Sequence, residues 1–162
     1  MPVSFLSDTL YFMSHENWIK KTIELAKTAD KCEVPIAAII VKDGQKVSSA
    51  TNSKESHLDP TAHAEINAIR DACQSLKTWR LSDCQIYINL EPCVMCAGAI
   101  IQARISEVYF AAYDKKGGGV CSCTHSFEVA NINHRPKWQG GILEEEASGD
   151  LKNFFKQLRA ST

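Results

Sequence analysis

The stretch "PIAAIIVKDGQKVSSAT", Pro35–Thr51, decides the fold of this chain. Its first half, "PIAAIIVK", is a continuous apolar run with the length and β-branched content of a buried strand. Asp43-Gly44 is a dipeptide typical of two-residue hairpin turns, and a second strand, "QKVSSAT", follows it. The stretch therefore predicts a β-hairpin in the first third of the chain.

Helices and strands alternate on either side of this hairpin. Before it, the apolar residues of "ENWIKKTIELAKTA", residues 16–29, fall on one face of an amphipathic helix. The elements predicted after it are, in order, a helix "AEINAIRDAC" that begins after Pro60, a strand "CQIYINL", a helix "VMCAGAIIQA" that begins at Pro92-Cys93, a strand "SEVYFAAY", a loop "DKKGGG", an irregular segment over residues 121–137, a short extended piece in "WQGGILEEE" and a last helix "DLKNFFKQLRA".

This order of elements indicates the fold class. A hairpin followed by strand–helix alternation is typical of α/β folds with a mixed sheet. We therefore expect a three-layer α/β/α sandwich around a central mixed five-stranded sheet. A length of 162 residues with 44% hydrophobic content fits one domain with a sizeable core. We expect that domain to span residues 1–162, with residues 1–13 as an N-terminal tail.

Composition and charge argue against several protein classes. A formal net charge of −1 does not mark a general polyanion-binding protein, although a local basic patch would still bind nucleic acid. No apolar run is long enough to span a bilayer, and no basic segment precedes the mildly apolar N-terminus as it would in a secretory signal. Seven cysteines cannot all pair, and in a reducing compartment they are metal ligands, reactive thiols or small buried residues. We expect a cytoplasmic protein with no membrane partner.

Two cysteines in "EPCVMC", residues 91–96, have the spacing of a metal-binding or redox pair. Pro92 favours a helix start, because its missing N–H is not needed there. Cys93 and Cys96 then lie on the first turn of that helix, where the helix dipole favours the thiolate that binds metal. They would occupy two corners of a tetrahedral zinc site. On this spacing alone, a redox pair or a coincidence stays open.

The stretch "DPTAHAEIN", residues 59–67, places a histidine and a glutamate at the start of another helix. His63 would supply a third zinc ligand, since two helices on the same side of one sheet can bring their N-termini together. One histidine and two cysteines leave the fourth position to water, which is typical of a catalytic zinc site. Glu65 is close enough to His63 to move the proton of that water. Taken singly, each residue is more often an ordinary surface or core residue.

The combined pattern H-x-E…P-C-x-x-C resembles the signature of the zinc-dependent nucleobase and nucleoside deaminases, the cytidine and deoxycytidylate deaminase superfamily. Four stretches, "DPTAHAEINAIR", "LEPCVMCAGAI", "ARISEVYFAAYDKK" and "NHRPKWQGGI", are similar to the bacterial tRNA-specific adenosine deaminases. The resemblance covers the chain from Glu16 to Arg159.

The resemblance implies a cytidine deaminase-like fold, one zinc ion per subunit and a set of site residues. Glu65 is implied to be the catalytic general acid/base. Asn52 and the backbone at Ala64 are implied to bind the substrate base. The implied zinc ligands are His63, Cys93 and Cys96.

The resemblance also implies the reaction and the partners. The reaction is the hydrolytic deamination of adenosine to inosine at the wobble position of a tRNA anticodon, with release of ammonia. The substrate is the tRNA anticodon arm, whose loop already exposes its bases. A homodimer is implied, in which the partner chain completes each active site.

Basic and aromatic residues in the C-terminal half are candidates for contacts with the nucleic acid. Lysines and arginines that contact phosphates provide most of the affinity for a nucleic acid, and an aromatic ring can stack on a loop base. The alternative for each is a solvated surface charge or, for the phenylalanine, core packing. The candidates are Lys116, Arg135, Lys137, Phe154 and Lys156.

Three other functional interpretations stay open. A deaminase of a free base or nucleoside, guanine first, would share the same core motifs. A non-catalytic zinc-binding module would need a fourth protein ligand, such as Cys84 or Cys121, and would leave Glu65 without a role. A thiol oxidoreductase would leave both His63 and Glu65 unexplained. We expect no second metal site at Cys121 and Cys123, because C-x-C spacing is unusual for zinc.

The remaining cysteines and glycines have simpler interpretations. The isolated residues Cys32, Cys73 and Cys84 are expected to be buried. The run Gly117–Gly119 lacks the rest of a phosphate-binding loop and is expected to form a flexible loop near the active site.

Overall fold

The computed structural model describes residues 13–161, in which helices cover both faces of a five-stranded sheet. The helices are α1 (His15–Ala26), α2 (Lys54–His57), α3 (Ala64–Leu76), α4 (Val94–Ala103) and α5 (Glu144–Ala160), with a 3₁₀ turn at Ser126–Glu128. The strands are β1 (Ala37–Lys42), β2 (Gln45–Thr51), β3 (Cys84–Leu90), β4 (Glu107–Ala112) and β5 (Lys137–Gln139).

The hairpin of β1 and β2 forms as the sequence predicts. Asp43 and Gly44 have φ angles of 50° and 72°, the left-handed values that a two-residue type I′ turn requires. Side chains of β1 alternate between two cores, because Ile40 belongs to one buried cluster whereas Ile39 and Val41 belong to the other. Both faces of β1 are therefore covered, which explains why its apolar run is continuous.

The strand order in the sheet is β2-β1-β3-β4-β5. β1 is antiparallel to both of its neighbours, whereas β3 pairs with β4, and β4 with β5, in parallel. A parallel pair needs a crossover connection, and α4 provides it between β3 and β4. The predicted mixed five-stranded sheet is confirmed.

Two cores separate the helices into two layers. One core joins Ala68 of α3 and Ile100 of α4 to Ile88 of β3. The other joins Trp18 of α1 and Ala147 of α5 to the opposite face of the sheet. Because β2 runs in the same direction as β3, the segments that follow these two strands leave the sheet at the same edge. α3 and α4 therefore begin close together on one face.

The structure differs from the sequence analysis in two helices and in the burial of two cysteines. α2 was not predicted, and α5 begins at Glu144, six residues before the predicted start. The expectation that Cys32 is buried is wrong, because it lies in a polar turn after α1 and is exposed, while Cys73 is half-buried. Residues 1–12 of the expected tail lie outside the described residues. Between residues 13 and 161, no helix is both long and apolar enough to cross a membrane.

Candidate active site

The N-termini of α3 and α4 carry the predicted metal ligands. His63 and Cys93 are the N-cap residues of these helices, both in extended conformation and neither using its side chain to cap its helix. Their side chains are therefore free of capping hydrogen bonds and can contact each other. His63 Nδ1 lies 3.6 Å from Cys93 Sγ and 3.5 Å from Cys96 Sγ.

The spacing of these three side chains fits a tetrahedral metal site. With metal–nitrogen bonds of about 2.0–2.1 Å and metal–sulfur bonds of about 2.3 Å, the N–S edge of a tetrahedron measures about 3.6 Å. The ligand atoms of His63, Cys93 and Cys96 all lie within 4.8 Å of one another. One imidazole and two thiolates suit a borderline-soft ion, for which zinc is the default. The three residues could hold such an ion.

Other candidate ligands do not join this cluster. Among residues 13–161, His63, Cys93 and Cys96 form the only group of three side chains arranged to hold a metal. Cys84 and Cys121, which would have closed a structural zinc site, are not part of it. The fourth position of a tetrahedral ion would therefore be open to water, as in catalytic zinc sites.

The pKa values of the two thiols are shifted in opposite directions. Hydrogen bonds from Cys96 and, secondarily, from His63 lower the pKa of Cys93 to about 4, although burial acts in the opposite direction. The pKa of Cys96 is raised, because it shares its proton with Cys93 and is itself buried. The pKa of His63 is raised by its hydrogen bond with Cys93. The lowered pKa favours the thiolate form of Cys93, which is the form that binds metal.

Glu65 borders the cluster and is almost completely buried, with 4% of its surface exposed. It lies in the first turn of α3, where its carboxyl group is within hydrogen-bonding reach of the Cys96 thiol. Burial is the main cause that raises the pKa of Glu65 to about 7. A carboxyl group with a pKa near 7 can both accept and return a proton at neutral pH.

The turn before α3 aims His63 into the site. Asp59 accepts hydrogen bonds from the N–H (2.8 Å) and the hydroxyl (2.7 Å) of Thr61, which closes a tight turn in "DPT". Asn67 Nδ2 then donates to the carbonyl of Thr51 at 3.1 Å and to Ser53 Oγ at 2.9 Å. These contacts attach the start of α3 to the end of β2.

Asn52 and Ala64, the two residues implied to bind the base, lie in this same region. The N–H of Ser53 donates to the carbonyl of Ala62 at 3.0 Å, so Asn52 is held beside the segment that leads to His63. Asn52 Nδ2 donates to Glu33 Oε2 at 3.0 Å. Ala64 is fully buried as the first residue of α3.

Two buried glutamates at the site were missed by the sequence analysis. Glu33, 1% exposed, accepts hydrogen bonds from Asn52 and from the N–H of Ser56 at 2.7 Å. Glu91, 2% exposed, accepts hydrogen bonds from the loop that follows β4. Nothing in the sequence around Glu33 distinguishes it from a surface glutamate. Glu91 could have been noticed, because it directly precedes Pro92 and the Cys93–Cys96 pair.

The predicted nucleic-acid contacts are dispersed over the surface. Lys116 lines a cavity of about 630 Å³ at the carboxyl ends of β3 and β4. The guanidinium of Arg135 donates to the carbonyls of Phe127 and Val129, each at 3.0 Å, and so braces a loop. Phe154 lines a different cavity, of about 470 Å³. Lys137 and Lys156 are exposed on β5 and α5.

The cavity that contains Lys116 brings together residues from four parts of the chain. Phe155 lines this cavity, whereas Phe154, the residue named from the sequence, does not. The Phe155 residue is 41% exposed. The polar and charged residues that line the cavity are Asp114, Lys116, Ser148, Lys152 and Arg159. Helical spacing alone could not distinguish two adjacent phenylalanines, because both fall near the edge of the apolar face.

Comparisons with known proteins show that the chain is similar to deaminases in sequence and in fold. The sequence profile of the MafB19-like deaminases matches residues 13–159. A tRNA-specific adenosine deaminase of Aquifex aeolicus (strain VF5) is 49% identical over 148 residues, which cover 91% of this chain and 97% of that protein. A structure from studies of A-to-I editing by tRNA:A34 deaminases at the wobble position of transfer RNA is 38% identical, with a TM-score of 0.80 and coverage of 83% of this chain and 98% of that one. The X-ray structure of guanine deaminase from Bacillus subtilis is 33% identical, with a TM-score of 0.61 and coverage of 91% and 95%.

Proposed function

Because the chain belongs to the tRNA-specific adenosine deaminase family, we propose that it converts adenosine to inosine at the wobble position of tRNA anticodons. The observation that carries this proposal is the buried Glu65 beside three side chains with the spacing of a zinc site. The reaction adds water to C6 of the adenine ring, so a C6–O bond forms, the C6–N bond to the amino group breaks and ammonia leaves.

The three metal ligands and Glu65 have separate roles in this chemistry. His63, Cys93 and Cys96 would hold one zinc ion per subunit. When bound, zinc lowers the pKa of water and so supplies a nucleophile at neutral pH. Glu65 accepts the first proton that water loses and delivers it to the ring nitrogen N1. It then moves the second proton, from the new C6 hydroxyl group, to the departing amino group. Its burial supports this role, since a pKa of about 7 permits both steps.

The basic and aromatic residues at this edge of the sheet support a tRNA anticodon arm as substrate. The cavity lined by Lys116, Lys152 and Arg159 lies at the same sheet edge as the start of α4. Lysine and arginine side chains provide the phosphate contacts that dominate affinity for nucleic acids. Phe155 provides a ring on which an exposed loop base can stack.

A homodimer and a cytoplasmic location belong to the same proposal. Two apolar side chains beside the site, Leu58 and Val94, are 89% and 59% exposed and would be available to a partner chain. None of the seven cysteines forms a disulfide, which fits a reducing compartment. Light scattering on the purified protein measures the oligomeric state, and a monomer at micromolar concentration would contradict the dimer.

Guanine deamination is the second candidate, because the 33% identity to the guanine deaminase of Bacillus subtilis extends over most of both chains. The higher identity of 49% to the tRNA-specific enzyme of Aquifex aeolicus favours tRNA.

A substrate panel tests the proposal. One zinc-quantified preparation is offered an anticodon stem-loop with adenosine at the wobble position, free adenosine, cytidine and guanine, and ammonia release is measured. The expected result is turnover of the stem-loop alone. Turnover of guanine without the stem-loop would replace the tRNA assignment, and turnover of none of the four by a zinc-loaded protein would remove the deaminase assignment.

A further inference from the structure

Glu91 is a buried carboxylate whose hydrogen-bond partners all belong to one loop. It directly precedes Pro92 and Cys93 and is 2% exposed. The loop, residues 114–124, follows β4 and contains the three consecutive glycines. We call these residues the glycine loop.

The backbone of the glycine loop converges on the carboxylate. Glu91 Oε1 accepts the N–H groups of Val120, Cys121 and Ser122 at 3.1, 2.8 and 3.0 Å. Glu91 Oε2 accepts the N–H of Asp114 at 3.1 Å and the hydroxyl of Ser122. Successive N–H groups that point at one anion form an anion-binding nest, and here the anion is a side chain of the protein itself. Charge-assisted hydrogen bonds of this kind are stronger than neutral ones.

The same loop lies against the backbone of the metal ligand Cys93. Gly118 pairs with Cys93 in an isolated antiparallel bridge, and the N–H of Gly119 donates to the carbonyl of Pro92 at 2.7 Å. A Cβ on Gly119 would lie 2.6 Å from the carbonyl carbon of Cys93, and a Cβ on Gly118 would overlap the Glu91 carboxylate. Glycine is therefore required at both positions by close approach, and the expectation of a merely flexible loop does not describe this packing.

These contacts form a continuous connection from Glu91 through the glycine loop to Cys93. Cys93 is an N-cap residue whose side chain makes no capping hydrogen bond, so the position of its backbone determines the position of its thiolate. We propose that Glu91 is a positioning residue for the metal site: it holds the glycine loop against Cys93 and thereby keeps the thiolate where it can share an ion with His63 and Cys96. The inference rests on the metal-binding part of the proposed function and not on the identity of the substrate.

Glu91→Gln tests this proposal with little change of shape. A glutamine keeps one acceptor oxygen. Its amide NH₂ group, however, would face donor groups that now hydrogen-bond to the second carboxylate oxygen, and two donors cannot form a hydrogen bond with each other. We expect zinc release to a chelator at 25 °C to become at least about tenfold faster, as for other groups that orient metal ligands. In the cobalt-substituted protein, the thiolate-to-metal absorption bands should shift, because the geometry of Cys93 changes. A general loss of stability would not move those bands.

Glu107→Gln is the matched control. It removes one carboxylate charge and weakens the hydrogen bond that Tyr109 donates to Glu107 at 2.6 Å, and it lies on β4 outside the glycine loop. Zinc release and the cobalt spectrum of this variant should equal those of the parent protein. Equal zinc release from the parent and from Glu91→Gln overturns the proposal, as does an equal increase in both variants.

A second variant decides the question if Glu91→Gln does not fold. Ser122→Ala removes the hydroxyl donor and leaves the carboxylate and its backbone partners in place. A smaller acceleration of zinc release in the same direction supports the proposal, and an unchanged rate overturns it. A parent protein that binds no zinc would instead refute the metal site of the proposed function, so the two failures are distinguishable.

Discussion

At the scale of single residues, the start of α3 brings Glu65 and His63 to the same candidate site. Glu65 lies two positions after His63, a spacing that would put the two side chains on different faces of a regular helix. His63, however, is the N-cap residue in extended conformation, whereas Glu65 is inside the first turn. Both side chains can therefore border one site, and their adjacency in the sequence is explained.

Glu65→Ala should abolish catalysis without emptying the metal site. We expect ammonia release to fall by about 10²–10⁴-fold, the usual contribution of a general acid/base. The zinc content should stay at one ion per chain, because the three ligands are intact. Glu145→Ala, an exposed substitution in α5, is the control and should keep the parent rate. Loss of zinc from Glu65→Ala would show that this carboxylate is a ligand or a structural group.

Glu33 is the second residue whose role depends on burial. Its carboxylate accepts a hydrogen bond from Asn52 Nδ2, which fixes the orientation of that amide. Burial acts to raise the pKa of Glu33, but hydrogen bonds from the N–H groups of Ser56, Glu55 and Lys54 outweigh it and hold the pKa below its usual value. Glu33 is therefore a carboxylate in the folded protein at neutral pH.

Glu33→Gln should destabilise the protein in a pH-dependent way. At pH 7 we expect a loss of about 2 kcal/mol in the free energy of unfolding, since hydrogen bonds to a charged group are weakened. The folded-state pKa lies below the unfolded value of about 4.3, so this contribution is complete above that value and is lost as the pH falls through the folded-state pKa. The difference between parent and variant, measured by urea unfolding from pH 7 to pH 3, should shrink below about pH 4.3. A difference in unfolding free energy that does not change with pH would contradict this role of Glu33. The control is Glu24→Gln, an exposed substitution, whose unfolding free energy should differ from that of the parent by less than about 0.5 kcal/mol at every pH.

At the scale of elements, glycines have opposite roles in helices and at sheet edges. Gly149 lies inside α5 with open space around it, because a Cβ there would meet no atom within 4 Å. Gly140 follows β5, and a Cβ there would overlap the ring of Phe110. Phe110 is fully buried in the core beneath α3 and α4 and cannot yield without disturbing that core.

Alanine substitution at these two glycines should therefore change stability in opposite directions. We expect Gly149→Ala to stabilise the protein by about 0.5–1 kcal/mol, because glycine is unfavourable inside a helix. We expect Gly140→Ala to destabilise it by about 1–3 kcal/mol through overpacking. Thermal and urea unfolding of the two variants beside the parent measures both effects, and a shared sign would contradict the packing described for one of them.

At the scale of the whole molecule, the proposed surface for the substrate is assembled from distant segments. α5 brings Lys152 and Phe155 to the cavity beside Lys116, which follows β4. Lys156 is one turn further along α5 but does not line this cavity. The two lysines of one helix therefore form a matched pair for testing the path of the RNA.

Lys152→Ala should weaken binding of the anticodon stem-loop more than Lys156→Ala does. We expect KM for the stem-loop to rise about fivefold in Lys152→Ala, the equivalent of about 1 kcal/mol, with kcat unchanged. The slope of log KM against log salt should decrease by about one, because one phosphate contact is lost. Steady-state kinetics at several salt concentrations measures both quantities. Equal effects of the two substitutions would show that the RNA does not follow the cavity.

Much of the architecture follows from patterns within single segments. The type I′ turn at Asp43-Gly44, the period of the strands and the helix start at Pro92 are local properties, because each depends on residues only a few positions apart. The short helix α2 and the early start of α5 were missed, because their polar residues show no apolar periodicity. In α2, the N–H of Ser56 donates to the distant Glu33 carboxylate, a contact that no local pattern shows.

The sequence by itself determined the hairpin, the strand–helix alternation and the candidate metal ligands, since a turn dipeptide, an apolar run and a C-x-x-C pair depend on residues close together in the chain. Only the tertiary structure decided what surrounds these ligands. The contacts of His63 with Cys93 and Cys96, and that of Glu91 with Cys121 of the glycine loop, join residues at least 30 positions apart. The burial of Glu65 likewise depends on how these segments pack. Such contacts are set by the directions in which β2, β3 and β4 run in the sheet and by the packing of the segments that follow them, which no local pattern encodes.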